Sequence, residues 1–143
     1  MNRKILAFLI PTLLFSFSSC DKKDDGGNDQ VNHPIISLAP DIWNSDGAWF
    51  AAYCWNSDGT ETVWYTLNSN EEYYSSEIDI ETYINVVFVR FSNTASEATW
   101  DIEANIWNQT IDLTFEGDVF TITSWGDNSS NFKSTGTWST RGS

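Results

Sequence analysis

The sequence holds a single histidine, His33, and only two cysteines, Cys20 and Cys54. One histidine leaves no Ser–His or Cys–His pair of the usual catalytic kind. Neither zinc-ligand spacing nor a Gly-rich phosphate loop occurs. Basic residues are also scarce. All 20 acids but only five of the seven bases lie beyond Cys20, so that part of the chain carries −15 from its side chains. Such a surface repels nucleic acid and anionic lipid headgroups, and both are excluded as partners. No window sustains a helical period. The one long apolar run, residues 5–17, is interrupted by Pro11 and is too short to span a bilayer comfortably. Loop oxygens of the kind a structural calcium takes are present at Asp46, Asp58, Asp127 and Asn128. Their spacing matches no known calcium loop, so they read as solvated surface, and no metal or other cofactor is implied.

The apolar run belongs to an export segment. Asn2-Arg3-Lys4 is a basic start, residues 5–17 are the apolar stretch, and Ser18-Ser19-Cys20 follows, after which the chain turns at once to charge. This resembles a bacterial lipobox, in which Cys20 is lipidated and becomes the new N-terminus. Residues 1–19 are then a lipoprotein signal peptide, and contact with a membrane is through the lipid alone. Asp21-Lys22-Lys23-Asp24-Asp25 resembles the surface-export signal of Bacteroidetes lipoproteins, which implies display on the outer face of the outer membrane. Residues 20–33 are polar, rich in Gly and Asp and aperiodic, so they read as a flexible acidic linker. With Cys20 consumed, Cys54 is alone and no intramolecular disulfide can form in the processed chain.

What the remaining chain has in excess is aromatic rings, 15% of all residues, with eight Trp. They concentrate on a hairpin. In residues 48–55, Trp49, Ala51, Tyr53 and Trp55 alternate with Phe50, Ala52 and Cys54, the period-2 pattern of a strand. Asn56-Ser57-Asp58-Gly59 supplies the turn, and Thr62-Val63-Trp64-Tyr65-Thr66-Leu67 the returning arm. The small face of the first arm suits a core; the large face carries more ring area than a solvent-facing strand usually shows. Residues 85–92, Asn-Val-Val-Phe-Val-Arg-Phe-Ser, are apolar on both faces and predict a central strand covered on both sides. A short edge strand is predicted at 33–38, with Pro34 suited to its start, and further strands at 72–80, 110–115, 119–124 and 134–140, with turns at 68–71 and 116–118 and long polar loops at 39–47, 93–108 and 125–133. Seven or so short strands at this spacing predict one all-β domain, an antiparallel β-sandwich, over residues 34–143.

Several strings in order carry a resemblance: Ala48-Trp49-Phe50-Ala51-Ala52-Tyr53, Asn85 through Phe91, Trp100-Asp101, Trp107-Asn108-Gln109-Thr110-Ile111-Asp112-Leu113-Thr114, and Gly136-Thr137-Trp138-Ser139. Together they resemble a bacterial extracellular β-sandwich module related to the starch-binding carbohydrate-binding modules, family 26 and its neighbours, over roughly residues 35–140. The resemblance implies an immunoglobulin-like sandwich whose first-hairpin aromatics make a shallow platform for an α-glucan. The matching positions are Tyr53 and Trp55, with Trp64 on the second arm, where Val63 or Tyr65 is the alternative outward residue. The chemistry fits: a sugar ring offers an apolar C–H face to an aromatic ring and a rim of hydroxyls to amides, carboxylates or Arg. A curved glucan asks for two or three rings set at an angle. The opposing reading places these rings in the core, where Trp is highly buried on average. Trp49, Phe88, Phe91, Phe115 and Trp138 are expected to be mostly core.

Four loop residues, Trp100, Trp107, Asn108 and Gln109, either form a second wall of the site or plug the end of the sandwich. Arg90 either forks onto a sugar hydroxyl or an aspartate, or pairs structurally with Asp101. The functional expectation is a non-catalytic, lipid-anchored glycan-binding domain, with polysaccharide as ligand and other surface-complex proteins as candidate partners. The alternative is a structural or protein-interaction lipoprotein, an adhesin or accessory subunit with no glycan ligand. A lone sandwich with scattered acids offers no facing carboxylate pair for glycoside cleavage, so no enzyme is expected. The anchor makes one prediction: Cys20→Ser abolishes incorporation of a labelled fatty acid and releases the protein from the membrane fraction, whereas a wild-type chain that takes up no label removes the lipoprotein assignment.

Overall fold

The computed structural model describes residues 31–142, and residues from His33 onward form one compact unit. The expected signal segment, the expected lipidation site Cys20 and nearly all of the expected linker lie outside the described residues. The fold is all-β, two sheets packed as a sandwich. Ten strands occur among the described residues: β1 (Ile35–Ala39), β2 (Trp49–Trp55), β3 (Thr62–Thr66), β4 (Asn68–Asn70), β5 (Tyr73–Glu77), β6 (Asn85–Phe91), β7 (Ile106–Gln109), β8 (Leu113–Thr114), β9 (Val119–Ser124) and β10 (Thr135–Ser139). One sheet runs β10-β9-β1-β5-β4; the other runs β3-β2-β6-β7, with β8 also against β6. All pairings are antiparallel except β1 with β9, which is parallel.

The predicted hairpin is β2–β3, with Tyr53 opposite Trp64 and Trp55 opposite Thr62. Its turn is held by Gly59 N–H donating to Asn56 O, with Gly59 at φ +76°, a conformation that favours glycine. Phe50, Ala52 and Cys54 from β2, and Val86 and Phe88 from β6, face the opposite sheet and meet Ile36, Leu38, Phe120 and Ile122 in the main core. Each such large side chain, fully withdrawn from water, contributes about 1.5–3 kcal/mol.

Strand β6 is central and covered on both faces, as its composition requires. Its second cover is not a sheet but the segment 92–105. Ala95, Ala98 and Trp100 of that segment pack on Ala51, Val87, Val89 and Phe91, making a second, smaller core on the outer face. Trp49 belongs there rather than to the main core: it stacks on Phe91 at 4.6 Å and donates its indole N–H to Ala95 O at 3.1 Å. Phe91 is likewise buried, but in this outer cluster. Phe88 is fully buried in the main core, and Phe115 and Trp138 pack against it partly exposed.

Five local expectations are corrected. The first strand, expected at a sheet edge, is β1, an inner strand paired on both sides by β9 and β5. Residues 68–70, expected as a turn, form the edge strand β4, and the chain reverses at Glu71 with φ +67°. The expected loop 93–108 contains β7, whose polar Trp-Asn-Gln sequence hides a strand stabilised from outside, by pairing with β6. The expected strand 110–115 shortens to β8, because Thr110 breaks the edge: its hydroxyl accepts the Phe88 N–H at 3.0 Å in place of a backbone carbonyl. Trp43, placed in a loop, is fully buried in a short 3₁₀ turn and stacks with Phe50.

Cys54 is a free thiol in the main core, and burial pushes its pKa up to about 12. An unfolded thiol ionises near 9, so above that pH the unfolded chain loses a proton that the folded chain keeps, and stability falls as pH rises toward 12. Cys54→Ala removes this component, about 1.4 kcal/mol per pH unit across the window. Parallel urea titrations at pH 8 and pH 10.5 measure it; equal pH dependence in both proteins refutes it. The native thiol should also resist a thiol reagent until the protein is unfolded.

Candidate functional site

The outer face of the β3-β2-β6-β7 sheet carries the hairpin rings. Alternation along β2 puts Tyr53 and Trp55 there, and register places Trp64 directly across from Tyr53, while Val63 and Tyr65 turn to the main core. The rings do not stand free. Tyr53 lies 6.0 Å from Trp55, 4.8 Å from Trp64 and 5.2 Å from Trp100, and Trp64 lies 5.0 Å from Trp100. All four are half-buried, each covering part of its neighbour. The bare platform expected from sequence is therefore a packed cluster of tilted rings, partly roofed by the segment that brings Trp100.

Trp100 also faces a second feature. It joins Trp107, Asn108 and Gln109 of β7 and Asn131, Phe132 and Lys133 of the 125–134 loop around a groove of about 530 Å³. The structure thus brings together the four loop residues singled out in the sequence and joins them through Trp100 to the hairpin rings. A register shift against β6 between Arg90 and Phe91 gives β7 one extra residue, Trp107. Such a bulge re-aims a side chain at a sheet edge; Trp107 remains 37% exposed.

Arg90 is not a groove-facing ligand group. It is 6% exposed, and its donors are used within the protein. Nε donates to Trp43 O at 2.7 Å, Nη1 to Asn108 Oδ1 at 3.0 Å, and Nη2 to Ser45 O and Oγ at 3.1 and 3.0 Å. Its ion-pair partner is Asp46 at 3.4 Å, not Asp101. The guanidinium also lies over two indoles, 4.9 Å from the Trp107 ring centroid and 5.5 Å from that of Trp125. Arg90 therefore fixes the groove-lining Trp107 and Asn108 from behind.

Sequence reasoning passed over the far wall. Trp125 is 46% exposed and Phe132 is 68% exposed. Phe132 has φ +61° directly after Asn131 at +57°. A bulky side chain in the left-handed region is uncommon and costs of order 1–3 kcal/mol. The loop holds it there by many bonds. Asp127 Oδ1 accepts from the Ser129 N–H and hydroxyl, Ser130 Oγ accepts from Asp127 N, and Phe132 N donates to Asp127 O at 2.7 Å. The same Ser129 donors hold the Asp127 carboxyl below the usual range. At the loop base a Cβ on Gly126 would meet Lys133 O at 2.4 Å, so only glycine fits. The available signal was an isolated Phe in an otherwise polar loop.

Charge in the groove is balanced: Lys133 lines it with Glu103. Lys133 makes no ion pair among the described residues, which leaves its ammonium as a donor. Among the described residues, no three His, Cys, Asp or Glu side chains gather as metal ligands would. No protein-family model, curated protein or solved structure matches this chain.

Removing the Arg90 fork leaves the buried Trp43 carbonyl and the half-buried Asn108 amide short of donors. Arg90→Met is expected to cost about 1–3 kcal/mol in denaturant unfolding, and to shift the emission of Trp107 and Trp125. Asp46→Ala, at an exposed carboxylate, should cost under about 1 kcal/mol. Equal losses in the two variants would refute the hub role of Arg90.

Proposed function

We propose that this domain is a non-catalytic carbohydrate-binding module, tethered by a lipidated Cys20 to the outer surface of a bacterial outer membrane, with a neutral, starch-like α-glucan as ligand. The single observation that carries the reading is the groove beside β7. Exposed Trp107 and Phe132 and half-buried Trp100 supply ring faces, and Asn108, Gln109, Asn131 and Lys133 supply hydrogen-bonding groups around them. This is the pairing that a saccharide needs: stacking for its C–H face, amides and an ammonium for its hydroxyls. The groove holds one acid and one base, which favours an uncharged ligand, and the −15 chain discourages an anionic one. The α-linkage itself rests on the resemblance of the strings around residues 48–53, 85–91 and 107–114. Such a domain would hold polymer near the cell while other proteins digest it.

A second reading is favoured by one observation: Trp125 and Phe132 expose ring area on the 125–134 loop, as a protein-docking patch does. In that case the domain is an accessory subunit or adhesin without a glycan ligand.

Retention on insoluble starch separates the two. The wild-type chain should be retained, Trp107→Ala should weaken retention at least tenfold, and Trp55→Ala, on the more covered part of the ring cluster, should weaken it less. If the wild-type chain is not retained on starch in any buffer, the α-glucan reading is wrong.

A further inference from the structure

The edge β7–β8 and the segment 131–138 face each other along one seam. At its middle the two are stitched together. Ser134 N donates to Gln109 O at 2.8 Å, Ile111 N donates to Ser134 O at 3.0 Å, and Thr110 and Ser134 form a parallel bridge. Trp43 Nε1 donates to Ser134 Oγ at 3.0 Å and locks the stitch to the core. On one side of this stitch the seam opens into the groove described above. On the other it opens again, into a cleft of about 690 Å³ lined by β8, β10 and the turn between β8 and β9.

We propose that this β8–β10 cleft is a second saccharide subsite, independent of the Trp107 groove and on the same edge of the domain. The inference rests on the carbohydrate reading above for its ligand class. Three observations carry it. First, its floor is aromatic: Phe120 is fully buried, and Trp138 stays partly exposed over it at 5.1 Å. Second, its rim is a set of hydroxyls and acceptors, Thr114, Thr137, Asp112 and Glu116, with no Lys or Arg in the lining. Carboxylates and hydroxyls accept from sugar hydroxyls, and a cleft with two acids and no base turns away an anionic ligand. Third, Trp138 is a costly way to fill a core. Its indole N–H is buried with no hydrogen-bond partner among the described residues, a penalty that a phenyl ring in the same place would avoid. Contacts with Phe88, Phe115 and Phe120 hold the ring in place, so the larger ring face toward the cleft is what the indole adds.

A second register shift shapes this cleft as the first shapes the groove. Between Thr135 and Gly136 the β9–β10 ladder slips by one residue. Beyond the slip, a Cβ on Gly136 would meet Thr121 O at 2.0 Å and Phe120 Cε1 at 2.9 Å. Glycine there lets β10 lie close against β9 while Gly136 itself lines the opening. Two subsites on one edge, joined by a rigid stitch, would let one domain engage a polymer at two points or two chains at once, raising avidity without higher affinity at either.

The test is an amide and indole NMR titration of the full chain with maltoheptaose, repeated on three variants. Two groups of resonances are expected to shift. One surrounds Trp107; the other comprises Thr114, Gly136 and the Trp138 indole N–H. Trp107→Ala should abolish the first group alone. Thr137→Arg, an exposed position at the cleft mouth that does not enter the core, should weaken the second at least fivefold. Asp112→Asn should weaken it less, leaving the fold unchanged. Shifts confined to the Trp107 group overturn the second subsite and leave the carbohydrate reading standing. Shifts confined to the Trp138 group overturn the Trp107 groove and support the second subsite. No shift in either group overturns both.

Discussion

The Arg90 guanidinium is a buried cation in a chain otherwise dominated by acids, and the edge that carries Trp107 and Asn108 is arranged around it. Among the described residues one counter-ion reaches it, the exposed Asp46. The rest of its charge is met by two backbone carbonyls, an amide oxygen, a hydroxyl and two indole faces. That set is effective because a guanidinium is planar, weakly hydrated and carries its donors in a fixed fork. A lysine would present one point charge and could not bind the 43–45 turn, the β7 strand and two rings together. Through this fork the main core, the edge strand and the exposed indoles are one rigid piece, so rings that face solvent are held without the core packing that usually fixes them. Preorganisation of this kind lowers the ordering cost of binding.

The eight tryptophans divide by layer. Trp43 is inside the sandwich, and Trp138 closes one end of it. Trp49, Trp55, Trp64 and Trp100 join a second core between the sheet and the segment 92–105. Trp107 and Trp125 stand outside, each with its ring against the Arg90 guanidinium. The outer core has a consequence for recognition. It removes most of the hairpin ring area from water, and it also clamps the covering segment, through Trp49 to Ala95 and through Ser92 to Asn105, so that Trp100 is held at the boundary between the covered and open parts. The open ring area then lies along an edge seam rather than over a sheet face.

That seam is also how the domain manages a sheet edge. Exposed edges invite unwanted strand pairing. Here β7 and β8 are short, separated by residues 110–112, and joined to the opposite segment at Ser134. The two clefts are what remains of the edge on either side of that join. A register shift adjoins each, in keeping with the tendency of bulges to sit where a strand end must be redirected.

The order of residues alone specifies the all-β class, the first hairpin with its Asp58-Gly59 turn, and the double-sided burial of residues 85–91. Each follows from a local signal: period-2 alternation, a residue that tolerates positive φ, an unbroken apolar run. It also marked Trp100, Trp107, Asn108 and Gln109 as a group, because rings and amides in a polar loop stand out. Tertiary structure alone decided the rest. Whether Tyr53, Trp55 and Trp64 are bare or covered depends on where residues 92–105 fold back, and no pattern within the hairpin encodes that. The partner of Arg90 lies 44 residues away at Asp46, and β7 is a strand only because β6 lies beside it. Phe132 faces solvent in a strained backbone only because Asp127, Ser129 and Ser130 tie its loop. Periodicity reports what a segment needs to bury; which surface arrives to bury it is set by contacts distant in sequence.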